Sequence, residues 1–280
     1  MDQEKQTFPA ATQGTLTFLG TGTSMGVPTL GCDCPICASP DPHDKRLRPS
    51  ILIQWTEAQA TRTVLIDTGP DFREQALRTH LHRIDAVFYT HSHADHILGL
   101  DDLRPLSFNG WRESGPIPLY ATPETRAVLE RIFAYTFSPS ATYPNRAKVA
   151  LHDLNSGAAV HGVQFTPIPV FHGELPIIGY RFGATAYLTD VSQIPESSFP
   201  LLEDLDTLIV SALRHKPHPS HATVHQAVGW ANRIGAAQTW LTHIAHDLGH
   251  EETNSNLPPE IQLAHDGLVL PIRLIPIEVA

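Results

Sequence analysis

The segment His91-Ser92-His93-Ala94-Asp95-His96 places four metal-ligand side chains within six residues. It follows the apolar run Ile84-Asp85-Ala86-Val87-Phe88-Tyr89. It therefore reads as the loop leaving a buried strand, where α/β proteins put their chemistry. Imidazoles and a carboxylate this close are costly to bury one by one, and a bound cation removes that cost. One ion could take all four, but adjacent side chains point in different directions, which favours a split between two ions. More ligand types stand behind other apolar runs: His172 after Pro167–Phe171, Asp190 after Ala186–Thr189, and His243 after Thr239–Thr242. Each alone is an ordinary residue at a strand end. Their shared position predicts convergence on one rim.

Outward from this segment, short β-rich runs alternate with helical stretches. Strands are expected at Leu16–Leu19, Ile51–Trp55, Val64–Ile66, Ala86–Tyr89, Pro118–Tyr120, Val163–Ile168, Ile177–Phe182, Ala186–Leu188, Thr207–Val210, Thr239–Thr242 and Leu268–Ile272. Helices are expected at Phe72–Thr79, Glu124–Tyr135 and Val224–Ile234, with Asp71 and Thr122 as N-caps of the first two. This interleaving predicts a layered α/β domain. No internal repeat or long linker is evident. Residues 1–13 are polar and read as a frayed tail, which leaves one domain over 14–280. Ser138–Asn145 and His250–Glu260 read as loops.

Of the 280 residues, 41% are hydrophobic and 17% charged, which supplies a core and excludes wholesale disorder. No apolar run approaches the ~20 residues of a membrane helix. The N-terminus lacks the charged and then apolar pattern of a signal peptide. A cytoplasmic protein with no membrane partner is expected. The net charge of −10 argues against stable nucleic-acid binding.

The three cysteines lie in Cys32-Asp33-Cys34-Pro35-Ile36-Cys37. An odd, tightly spaced set does not suit a disulfide framework. Three thiolates leave one position of a tetrahedral zinc open, and His246, three residues beyond His243, is the expected fourth ligand. Such a closed structural zinc site is chemically inert. It would fix the loop after the first strand to the loop bearing His243.

The H-x-H-x-D-H string, the later His172, Asp190 and His243, and Asp67-Thr68-Gly69 at the end of a strand together resemble the metallo-β-lactamase superfamily. The resemblance spans about Gly14 to Ile272. It implies a four-layer αββα sandwich. It also implies that His91, His93 and His172 hold one cation and that Asp95, His96 and His243 hold a second. Asp190 would bridge the two, and Asp67 would orient a ligand. An oxygen bridge favours two divalent zinc or manganese ions, which convert bound water to hydroxide near neutral pH.

Gly20-Thr21-Gly22-Thr23-Ser24, Gly26-Val27-Pro28, the cysteine triad, Leu47-Arg48-Pro49-Ser50 and Gly99-Leu100-Asp101-Asp102-Leu103-Arg104-Pro105 narrow the match. They resemble the phosphoribosyl cyclic phosphodiesterases of the carbon–phosphorus lyase pathway. That resemblance implies a small cyclic phosphodiester substrate. The implied reaction opens 5-phosphoribosyl 1,2-cyclic phosphate to ribose 1,5-bisphosphate by attack of metal-bound hydroxide. His221, ahead of the Val224–Ile234 helix, would protonate the leaving alkoxide or stabilise phosphoryl charge. His221, Asp190 and Asp95 form the expected catalytic set. Arg48 and Arg104 are candidates for a terminal phosphate or for plain ion pairs.

The alternatives are a ribonuclease Z-like RNA-processing endonuclease and a thioesterase or lactonase of the same superfamily. The endonucleases carry an arm between the third metal histidine and the bridging aspartate. Here only 18 positions separate His172 from Asp190, filled by strand-like sequence. A homodimer is compatible with the sequence but not specified by it.

Overall fold

The computed structural model describes residues 12–108, 115–140, 142–154 and 156–275. Fourteen described strands form two seven-stranded mixed sheets. The first contains β1 (Thr12–Gly20), β2 (Ser50–Glu57), β3 (Ala60–Ile66), β4 (Ala86–Phe88), β5 (Ile117–Ala121), β6 (Val149–Asp153) and β14 (Val269–Leu274). Its order is β14-β1-β2-β3-β4-β5-β6. The second runs in simple succession through β7 (Ala158–Val160), β8 (Val163–His172), β9 (Leu175–Phe182), β10 (Thr185–Leu188), β11 (Thr207–Ser211), β12 (Gln238–Thr242) and β13 (Ile261–Leu263).

Both sheets follow one rule. In that order, the first three pairings of each are antiparallel and the last three parallel. Parallel strands are covered on both faces, which is why their sequences are the near-continuous apolar runs.

Side chains alternate between faces along each strand. Ile51, Ile53, Val64, Ile66 and Phe88 point toward the second sheet and meet Phe165, Tyr180, Tyr187 and Ile209. Phe88 stacks on Phe165 with ring centroids 4.5 Å apart. The opposite faces are covered by helices. Leu52, Leu65 and Val87 pack with Phe72 of α1 (Phe72–Arg78) and Leu129 of α4 (Pro123–Ile132). Leu188, Leu208, Val210 and Leu241 pack with Ala227 and Ala231 of α6 (Val224–Ile234). Three apolar layers between four layers of structure give the expected αββα sandwich. The remaining helices are α2 (Ala94–Ile97), α3 (Leu103–Phe108), α5 (Ala134–Phe137) and α7 (His250–Asn254).

The structure corrects several sequence expectations. β1 begins at Thr12, so the tail and domain boundary expected at residues 13 and 14 fall too late; residues 1–11 lie outside the described residues. The helix expected over 124–135 is two helices, because Phe133 leaves helical geometry at φ −103°, ψ 40°. The expected loop 250–260 contains α7. Asp71 does not cap α1. Its carboxylate accepts the Arg48 amide at 2.8 Å and pairs with the Arg48 guanidinium at 2.9 Å. Thr122 does cap α4, accepting the Thr125 amide at 3.3 Å. The unanticipated strands β6, β7 and β13 all sit at sheet edges and are short. An edge strand buries fewer residues and so carries no long apolar run.

Candidate metal centre

The carboxyl ends of strands from both sheets set the site. Asp67 follows β3, the His91–His96 segment follows β4, His172 ends β8, Asp190 follows β10 and His243 follows β12. All lie at the carboxyl ends of their strands. Three of them, Asp67 (φ 65°), Asp190 (φ 57°) and His243 (φ 56°), take left-handed backbone conformations. Each costs about 1–2 kcal/mol for an L-residue and turns the side chain sharply out of its strand.

The Asp67–Gly69 turn packs directly on the histidine segment. The Thr68 amide donates to the His96 carbonyl at 2.8 Å. A Cβ on Gly69 would meet the Asp95 carbonyl oxygen at 2.0 Å, so only glycine allows this approach.

His91, His93 and His172 present ligand atoms within 4.8 Å of one another. Asp95, His96, Asp190 and His243 form a second such group, and His172, Asp190 and His221 a third. Asp190 thus links the second and third groups, and His172 the first and third. His91, Asp95, His96, His172, Asp190 and His243 are buried; His93 is exposed.

Three of the site's four buried imidazoles are held through Nδ1, whereas neither ring nitrogen of His243 has an aligned partner. His96 Nδ1 lies 2.7 Å from Asp67 Oδ2. His91 Nδ1 lies 3.0 Å from Thr90 Oγ1, which itself donates to Asp67 Oδ2 at 2.8 Å. His172 Nδ1 donates to the Ser220 carbonyl at 2.6 Å. The Nε2 atoms of His91, His96 and His243 are buried without an aligned hydrogen-bond partner. Those of His96 and His243 nonetheless lie 3.1 and 3.0 Å from the Asp190 carboxylate. Atoms this close without hydrogen-bond geometry are aimed at a common point, not at each other. Neutral nitrogens and carboxylates so arranged fit divalent cations.

The charge balance agrees. Burial alone would raise the Asp95 and Asp190 carboxyls, but His96 and His243 hold both well below the usual carboxylate range. Burial opposes protonation of His96 and His243. Asp95, Asp190 and Asp67 nevertheless hold His96 well above its ordinary value, and Asp190 with Asp95 lifts His243 to about 9. Protons on these imidazoles balance carboxylates that a cation would otherwise neutralise.

His221 Nδ1 lies 3.9 Å from Asp190 Oδ1. Burial first, and His243 next, push His221 down to about 3. Two clefts meet at His218 and His221. One, of about 860 Å³, is bordered by His93, His172, Glu174, Gln193 and Gln226. The other, of about 210 Å³, is bordered by Thr23, Ser24, Arg214, His243 and Asp247.

The cysteines and His246 form a separate group, all ligand atoms within 4.8 Å. His246 Nδ1 lies 3.2, 3.7 and 3.3 Å from the Sγ atoms of Cys32, Cys34 and Cys37. The N–H groups of Thr29 and Cys37 donate to Cys37 and Cys34 sulfur at 3.3 and 3.4 Å. Such bonds favour thiolate, and the Cys37 amide holds the Cys34 thiol below its usual value. Three thiolates and one imidazole in a tetrad fit a closed zinc site.

Arg46, with a fully buried side chain, ties this tetrad to the main site. It donates to the Ala245 and Leu248 carbonyls at 3.0 and 2.8 Å and pairs with Asp44 at 2.9 Å. Sequence reasoning missed Arg46, Thr90, Ser220 and Arg214. Thr90 adjoins the histidine string and could have been read as part of it. A main-chain acceptor such as Ser220 leaves no sequence signal.

The beta-lactamase superfamily domain model matches residues 62–244. A solved structure described as a new diphosphatase from the PhnP family is 52% identical, with a TM-score of 0.87, covering 95% of this chain and 100% of that one. An octanoyltransferase from Porphyromonas gingivalis is 38% identical over 255 residues, 90% of this chain. The chain spans about half the length of that curated relative, 50%. A ribonuclease Z from Mycobacterium bovis is 27% identical over 254 residues, covering 80% of this chain and 88% of that one. No described helix is long and apolar enough to cross a membrane.

Proposed function

Since the chain belongs to the β-lactamase superfamily and, within it, to the PhnP family of metal-dependent hydrolases, we propose that it cleaves small phosphodiesters at a centre of two divalent cations, zinc or manganese. The observation that carries this reading is His221. It stands 3.9 Å from Asp190, where the two clefts meet, so both arms of a diester find space around one reactive centre.

His91, His93 and His172 would hold one cation, and Asp95, His96 and His243 the other, with Asp190 shared between them. Divalent cations there supply Lewis acidity and bring the pKa of water toward about 7. The protein's own work is orientation. Asp67 fixes the His96 ring, Thr90 that of His91, and the Ser220 carbonyl that of His172. His221, pushed down to about 3, is neutral at pH 7. A neutral imidazole donates one N–H hydrogen bond to a phosphoryl or departing oxygen. The cysteine tetrad would hold a third, structural zinc.

Ring-strained cyclic phosphodiesters, 5-phosphoribosyl 1,2-cyclic phosphate among them, are the substrates this reading favours, because ring strain lowers the barrier to hydrolysis. A second reading, cleavage of a diphosphate linkage, is favoured by the description of the 52% identical relative. Long RNA is disfavoured. β9 and β10 occupy 175–188, so nothing protrudes between His172 and Asp190, and the net charge is −10.

A substrate panel tests the reading. Bis-p-nitrophenyl phosphate, 2′,3′-cyclic nucleotides, phosphoribosyl cyclic phosphate and a diphosphate diester are offered to wild type and to His221→Ala. Turnover of phosphodiesters, reduced about 10²–10⁴-fold by the substitution, is expected. Turnover of acyl thioesters alone refutes it.

A further inference from the structure

The two arginines singled out in the sequence are engaged by acids. Arg48 pairs with Asp71 at 2.9 Å and donates through Nε to the Ser24 carbonyl at 3.1 Å. Arg104 lies 3.7 Å from Asp101 and is outside both clefts. Arg214 differs. Its Nε and Nη2 reach only the main-chain carbonyls of Lys216 and Pro217, each at 3.3 Å. Among the described residues no carboxylate pairs with it. Asp247, on the same cleft wall, is exposed and makes no ion pair with it.

Arg214 is also fixed relative to the reactive centre. The Leu213 amide donates to the Ala222 carbonyl at 2.9 Å, and the Val224 amide to the Arg214 carbonyl at 3.1 Å. Arg214 and Thr223 form a parallel bridge. The backbones bearing Arg214 and His221 are thus hydrogen-bonded side by side, and both side chains border the 210 Å³ cleft. Thr23 and Ser24 add hydroxyls there, and Arg48 pins their turn. The larger cleft beyond His221 is bordered by Glu174 and by no arginine or lysine. The two sides of the centre therefore differ in charge.

We infer that Arg214 is a specificity-determining residue that receives a second anionic group, a terminal phosphate or similar dianion on one arm of the phosphodiester. This rests on the phosphodiesterase reading above. The planar guanidinium fork matches a phosphate, and among the described residues its remaining N–H groups have no protein acceptor. The anion-bearing arm lies on the Arg214 side and the uncharged arm in the larger cleft.

The metal-loaded enzyme is assayed on a matched pair: thymidine 3′-(p-nitrophenyl phosphate) with and without a 5′-phosphate. Wild type should prefer the 5′-phosphorylated ester by about ten- to a hundredfold in kcat/KM, carried by KM. Arg214→Gln should bring the ratio close to one, and Arg214→Lys should retain part of it. A wild-type ratio of one or less, or an equal loss on both esters in Arg214→Gln, overturns the inference. Wild type that cleaves neither ester refutes the hydrolytic reading instead. Calorimetric titration with inorganic phosphate then decides the subsite alone. Weaker binding by Arg214→Gln sustains it, and equal binding ends it.

Discussion

Asp67 and His96 are 29 residues apart in sequence and share a buried 2.7 Å contact between Oδ2 and Nδ1. Neither side chain is exposed to solvent. The carboxylate fixes both the tautomer and the orientation of the imidazole, and leaves Nε2 facing Asp95 and Asp190 at 3.3 and 3.1 Å.

Asp67→Asn keeps the shape and tolerates the left-handed backbone but removes the charge. Cation affinity should fall about 10–100-fold. Competition with a chelator, read by mass spectrometry of the intact protein, measures it.

Cation loading should release protons. His96 is held well above its ordinary value, and His243 at about 9, by Asp190 and Asp95 against the cost of burial. Both are therefore protonated at pH 7.5 in cation-free protein, and ligation requires their loss. Manganese, which disfavours thiolate ligands, should release at least about two protons per chain, one from each imidazole. Calorimetry in buffers of different ionisation enthalpy reports the number. Heats independent of buffer would remove His96 and His243 from the ligand set.

Arg46 and Asp44 form a pair with side chains 0% and 6% exposed. Arg46→Met strands the carboxylate and should cost about 3–5 kcal/mol in urea unfolding. Arg46→Met combined with Asp44→Asn should recover part of that. Because Arg46 holds the carbonyls of Ala245 and Leu248 on either side of His246, Arg46→Met should also speed zinc release to a colorimetric chelator.

The rings of His43, His250 and His265 cluster in tilted and edge-to-face contacts with centroids 4.1–5.7 Å apart. Burial first, and then His43, His265 and Arg46, push His250 down to about 4. Between pH 6.5 and about 4 the unfolded chain binds the proton that folded His250 refuses. Stability from this residue is whole above 6.5 and declines as pH falls toward 4. Asp266, raised to about 6 by burial, acts in the opposite sense over part of that range. The comparison is therefore between wild type and His250→Gln, whose melting temperature should decline less on acidification from pH 6.5 to 5.

The sequence revealed the ends of the interior strands, because strands covered on both faces carry near-continuous apolar runs. That is why His91, Asp95, His96, His172, Asp190 and His243 could be assigned to one rim. The cysteine spacing likewise suggested a zinc tetrad, and the position three residues beyond His243 suggested His246 as its fourth member. Edge strands β6, β7 and β13 escaped notice because half-covered strands resemble loops in composition. Asp71 read as a cap because its position fits one, yet its partner Arg48 lies 23 residues upstream. Contacts between distant side chains, such as Arg46 with Asp44 and the 245–248 carbonyls, carry no local pattern to read.

Thr12 pairs with Leu274, so the two ends of the described fold lie side by side. Close that gap and cut between β6 and β7, and the circle opens into two tandem halves. The first would be β7 to β13, the second β14 followed by β1 to β6, each laid down strand after strand in spatial order. Asp190 and Asp67 then occupy the same rank, just past the fourth strand of their half, both with left-handed backbones. One of these twins faces the inner nitrogens of His96 and His243, and the other holds the far side of the His96 ring. A circular permutant cut at that point would display as linear symmetry what the present order of segments conceals.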